Sequence, residues 1–193
     1  MKYNRTKALH SLLYLCKRLP QPVDVYTALK VIYFADKLHL ERFGRLMFGD
    51  RYIAMENGPV PSGAYDIVKY VGGRSVVDLA FPEAAEKLYS TRTDLIPKGA
   101  PDRELFSRSE LICLAECASK YGSMSFTELK KISHDEAWKK ADANGEIDIE
   151  HIALMLQDGS AIVGHLNDRS PGAAVDEGRP SQQVRQDENV TTP

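Results

Sequence analysis

Cysteine is scarce in this chain, with three in 193 residues. A small odd number excludes a disulfide framework and fits a reducing compartment. Excess charge of either sign is also missing: 25 Lys and Arg stand against 27 Asp and Glu, a net charge of −2. A protein whose main task is coating nucleic acid needs a basic footprint that this total does not supply. No apolar run approaches the ~18 residues of a membrane span. Residues 1–20 carry charges throughout and lack the apolar core and cleavage site of a signal peptide. These absences lead us to expect a cytoplasmic globular protein. The GxSxG, HExxH, Walker and GxGxxG patterns are absent too. No cofactor, metal site or catalytic constellation is therefore assigned.

What is present begins with an asymmetry. Residues 1–52 hold ten Lys and Arg against four acids, a local charge of +6, and the remainder carries −8. Such a split concerns partners and encounter rather than fold. From Arg169 to Pro193 there is no Leu, Ile, Met or aromatic residue. That composition cannot bury enough apolar surface to offset its ordering entropy. The reading is one domain over 1–168 and a disordered tail over 169–193.

The fold class expected is mainly α with minor β: a compact multi-helix domain around a central buried helix, with a small β-hairpin or sheet. Leu9, Leu12, Leu13 and Cys16 predict a first helix over about 4–18. Asp24 caps a second, running to about Arg42 with Gly44 past its end, and apolar residues cover most of its circumference. Residues 51–55 have a strand pattern. Asn57-Gly58-Pro59-Val60-Pro61 then reads as a stiff turn into a third helix capped by Ser62 and ended by Gly72-Gly73. Short strands are expected at Val76–Leu79 and within Tyr89–Ile96, with a helical piece over 83–87. Ser107/Glu110, Ser125/Glu128 and Ser133/Glu136 have capping-box spacing, predicting helices near 108–121, 126–132 and 134–141. Asp148 caps a further helix through Gln157, and Ser160–Asn167 forms a last short one.

Several residues are candidates for chemistry or contact. Asp36 and His39, three apart on one helix face, form either an acid/base pair for a small hydrolase or a helix-end network. Cys113 and Cys117 share a helix face but lack two further ligands, so they read as buried thiols. The rigid loop presents Asn57, Pro59 and Tyr65 as a pre-organised surface, and Trp138 is either a core or an interface anchor. Arg45 and Arg51, in the basic first third, suit an acidic partner surface. Segment 108–140 has the outline of a helix-turn-helix with Lys130, Lys131, Lys139 and Lys140 on or after its second helix. A DNA-binding autoregulator is the alternative this supports.

The run from Leu29 to Gly44 (LKVIYFADKLHLERFG), then Gly49–Ala54, then Asn57–Pro61 with Tyr65, resembles the SocA-like antitoxin family. That family is built on the Panacea domain and related to phage-associated GepA proteins. Leu129–Trp138, with Ser133-His134 and the tryptophan four residues on, is similar to the family's C-terminal motif. The resemblance covers about residues 5–168. It implies an antitoxin of a two-gene module that neutralises a toxin by direct protein contact. It also implies an adaptor role, delivering the toxin to a Clp-type AAA+ protease, and no enzymatic activity. Partner-binding positions drawn from these motifs and the basic segment are Asp36, His39, Arg45, Arg51, Asn57, Pro59, Tyr65, His134 and Trp138.

Overall fold

Helix α2 (Val25–Phe43) is the axis on which everything else is placed. Its N-terminus is fixed by Asp24, whose carboxylate accepts from the Thr27 N–H at 2.7 Å. Gly44 ends it in the left-handed conformation, φ 64°, with its N–H on Leu40 O. Ala28, Val31, Ile32, Tyr33 and Ala35 are all buried, so the helix is covered on several sides, as its all-round apolar pattern predicts. This computed structural model describes residues 2–76 and 80–168. The expected strand at Val76–Leu79 falls mostly outside the described residues, and the expected tail lies wholly outside them.

Among the described residues there are nine helices and two small three-stranded antiparallel sheets. Helix α1 (Arg5–Cys16) is capped by Asn4, stops two residues short of the expected end, and packs its Leu9, Leu12 and Leu13 into the core. The first sheet has the order β1 (Val23–Asp24), β5 (Asp94–Pro97), β4 (Leu88–Ser90). The second has the order β3 (Gly58–Pro61), β2 (Tyr52–Met55), β6 (Glu146–Ile147). Helix α3 (Ser62–Val71) follows β3 directly, and α4 (Pro82–Lys87) leads into β4. Then come α5 (Arg108–Tyr121), α6 (Phe126–Ser133), α7 (Glu136–Lys140), α8 (Ile149–Leu154) and α9 (Gly159–Asp168). No helix of the described residues is long and apolar enough to cross a membrane.

Four local readings are corrected. Residues 58–61 are not a turn but strand β3, in register with β2 through Ala54↔Pro59 and Ile53↔Val60; the turn is Glu56-Asn57. Two prolines are tolerated because β3 lies at the sheet edge, where a missing N–H leaves no gap in a ladder. Ser62 does not cap α3. The buried Asp50 does, accepting from the Gly63 and Ala64 N–H groups at 2.8 and 2.9 Å. Ser133 does not cap α7, because α6 runs through it. Asp135 accepts from the Trp138 N–H instead, at 3.1 Å. Helix α8 ends at Leu154 rather than Gln157. The capping boxes at Ser107/Glu110 and Ser125/Glu128 form as the spacing predicts.

Candidate functional site

The β2–β3 hairpin tip is held from several sides. Asn57 is exposed, yet its carbonyl accepts from the Tyr26 hydroxyl at 3.0 Å and its side-chain oxygen from Lys130 Nζ at 2.9 Å. Two residues earlier, Met55 O accepts from Trp138 Nε1 at 3.0 Å. Two residues later, Pro59 O accepts from Lys30 Nζ at 2.6 Å. The indole of Trp138 stacks on His134, ring centres 3.7 Å apart and 15° from parallel. Gly58 sits among these groups at φ +96°. A Cβ there would lie 2.5 Å from Ser133 Oγ and 3.1 Å from Lys30 Nζ, so both the backbone angle and the space require glycine.

The electrostatics of the tip follow from burial. Lys30 is 1% exposed, and desolvation pulls its ammonium down to about 7. Burial also holds the His134 imidazole below its ordinary range, and Lys130 and Lys30 push the same way. Its Nε2 is buried without a hydrogen-bond partner. Burial raises the Tyr26 phenol to about 12. Beside the tip opens a cleft of about 370 Å³. Tyr26, Asn57, Val60 and Tyr65 line it, with Arg92 and Asn144 at its polar margin. The tip is thus a fixed polar and aromatic surface.

The structure divides the sequence-derived candidates. Asn57, Pro59, Tyr65, His134 and Trp138 gather at the tip and its cleft. Asp36, His39 and Arg45 do not. The Asp36 carboxylate is fully buried and accepts from the Met47 N–H and the Tyr52 hydroxyl. Burial pushes its pKa up to about 7, against the opposing pull of those two bonds. His39 bonds Arg45 O through Nδ1 at 2.8 Å and Ser109 Oγ through Nε2 at 3.1 Å. The two side chains therefore serve different partners, which favours the helix-end network over an acid/base pair.

The basic first third is also placed differently from what its charge suggested. Arg45 and Lys7 both pair with the buried Glu110, at 2.9 and 3.0 Å. Burial alone would raise the Glu110 carboxyl, but the Ser107 N–H, Lys7 and Arg45 outweigh it and hold it low. Lys37 pairs with Asp135 at 2.6 Å, Arg42 with Glu116 at 2.8 Å, and Arg51 more loosely with Glu146 at 3.5 Å. Much of the polarity between the first third and the rest is thus closed inside the fold. Arg51, 69% exposed at its side chain, keeps an outward surface, while Arg45 is committed to Glu110.

Other motifs resolve simply. Cys16, Cys113 and Cys117 are buried free thiols, each pushed up by desolvation, to about 12, 11 and 12. No cluster of three or more His, Cys, Asp or Glu suited to a metal exists among the described residues. Helices α5 and α6 follow one another across a short turn but pack on α2 rather than on each other, and Lys130 is spent on Asn57 and Lys139 on Glu136. Sequence reading missed Lys30, Tyr26 and Ser133 as supports of the tip. The signal was a lysine inside the apolar run of residues 28–35, which must find an acceptor when buried.

A family model described as antitoxin SocA-like, Panacea domain, matches residues 29–139. The match opens one residue before Lys30 and closes one after Trp138, so it spans the groups of the tip except Tyr26. No curated protein matches the chain, and no solved structure does.

Proposed function

The chain belongs to the antitoxin SocA-like family of the Panacea domain, and from that membership we propose that it neutralises a partner toxin by direct protein contact. The observation that carries this reading is the hairpin tip. Asn57 is presented at the surface while Tyr26, Trp138 and Lys30 fix the backbone around it and Lys130 holds its side chain. A surface ordered before binding loses little conformational entropy on docking. The adjoining cleft offers two tyrosines, the residue type enriched at binding hot spots. The reading assigns the chain no catalysis. Delivery of the bound toxin to a Clp-type AAA+ protease is its finer form, in which this chain is the adaptor.

The test uses the product of the gene adjacent to the one encoding this chain. Expressed alone it should arrest growth, and co-expression of this chain should restore it. Asn57→Ala and Tyr65→Ala, both outside the core, should weaken binding of that product by about tenfold, the scale of a 1.4 kcal/mol loss. No growth rescue and no binding at micromolar concentration would overturn the reading.

A further inference from the structure

Charge does not single out a partner for the hairpin tip. Asp24, Glu56 and Arg92 line its cleft and Lys130 reaches the tip itself, so both signs are present. The hydrogen-bonding of the main chain is one-sided instead. Met55 O takes the Trp138 indole, Asn57 O the Tyr26 hydroxyl and Pro59 O the Lys30 ammonium. Glu56 and Asn57, the two turn residues, give their N–H groups to no carbonyl among the described residues. Strand β3 is also a blunt edge for adding a partner strand, since Pro59 and Pro61 have no N–H and Pro59 O is taken.

The Asn57 side chain continues the pattern. A lysine ammonium only donates, so the amide atom 2.9 Å from Lys130 Nζ is the oxygen. The amide nitrogen Nδ2 occupies the other branch of an exposed side chain, and its two N–H groups meet no acceptor among the described residues. The acceptors of this residue, main-chain and side-chain, are thus engaged within the fold, and its donors are left for solvent or a partner.

We propose that Asn57 is the specificity-determining residue of the tip, its Nδ2 donating to a main-chain carbonyl of the docked toxin. Glu56 and Lys130 flank Asn57 with opposite charges, which favours a neutral acceptor over a carboxylate. A toxin surface that offers a donor at this point finds no free acceptor on Asn57 and leaves its own group unpaired, which costs more than a good contact gains. The proposal rests on the toxin-binding reading above and assigns the polarity of that contact.

Asn57→Asp tests it, with the purified product of the adjacent gene as probe. The substitution keeps an oxygen for Lys130 and replaces the outward donors by a second acceptor. The melting temperature and the fluorescence of Trp138, the single tryptophan, should match the wild type. Binding should fall by about tenfold or more, because the carbonyl then faces another acceptor. The loss should be the same at about 0.05 M and about 0.5 M salt, as it is for a neutral acceptor. In spectra of the 15N-labelled chain, the Asn57 side-chain NH2 signals should shift when the probe is added. If Asn57→Asp binds as well as the wild type, or the NH2 signals stay in place in the complex, the donor role is overturned. A loss that shrinks severalfold at high salt would reveal repulsion from a toxin carboxylate and overturn the carbonyl as acceptor. If the wild type does not bind the probe at all, the toxin-binding reading fails, and this proposal with it.

Discussion

Asp36 shows how a single residue couples the fold to pH. It sits fully buried in α2 and gathers the Met47 N–H and the Tyr52 hydroxyl, so it ties the loop after α2 and strand β2 to the central helix. Burial raises its pKa to about 7, against 3.8 for the ordinary group. The folded chain therefore binds this proton more tightly than the unfolded chain does. Its stabilising contribution is complete below about pH 4 and declines as the pH rises to about 7, with a slope of ~1.4 kcal/mol per pH unit. Asp36→Asn keeps an acceptor for the Met47 N–H, reverses the Tyr52 bond so that the amide donates to the phenol oxygen, and cannot ionise. Denaturant unfolding of both chains across pH 4–8 should show the variant gaining on the wild type up to pH 7 and parallel to it above. Parallel curves throughout would mean that Asp36 titrates normally.

At the scale of elements, helix α3 carries the clearest prediction. Its own first residues supply no cap, and Asp50, thirteen residues upstream of Gly63, satisfies two of its free N–H groups. Asp50→Ala should cost about 1–2 kcal/mol in equilibrium unfolding, as loss of a helix cap does. Ser62→Ala should cost almost nothing. The reverse order would restore the local cap that the sequence suggested. This contrast explains what was legible beforehand. Asp24, Gly44 and the boxes at 107/110 and 125/128 act within four residues of themselves, so spacing alone reveals them. The Asp50 cap, the Lys30 bond to Pro59 O and the Lys130 bond to Asn57 join segments distant in sequence, and no local pattern encodes them. Ser133 was misread for a related reason. It has box spacing to Glu136, but α6 continues one residue further, through the buried Ser133, leaving Asp135 to open α7. Of the candidate site, the motif positions 57, 59, 65, 134 and 138 could be read in sequence. The separation of Asp36, His39 and Arg45 into a network around the loop after α2 could not.

The whole molecule is larger than the stretch that defines its family. Residues 29–139 include the hairpin tip, α5 and α6, but α1, α8 and α9 lie outside. Those outer elements are not accessories. Leu9, Leu12 and Leu13 of α1 are wholly buried, as is Ala153 of α8, and Ile152 is 1% exposed. Lys7 of α1 also supplies one of the two cations that neutralise the buried Glu110. Cutting the chain to 29–139 would expose the core that α1 covers and strip a partner from a buried carboxylate. Each fully buried Leu lost from the interface removes about 1.5–3 kcal/mol of burial, and a total stability of about 5–15 kcal/mol does not survive several such losses. A chain of residues 2–168 retains every described element and forgoes only a segment whose composition offers little to bury. It should melt cooperatively and within about 2 °C of the full-length protein, less than the shift expected for a 1 kcal/mol change in a chain this size. The 29–139 chain should show no cooperative transition and should bind a hydrophobic dye. A cooperative transition in 29–139 would show that the matched stretch folds alone. A large loss in 2–168 would show that residues beyond Asp168 belong to the folded unit.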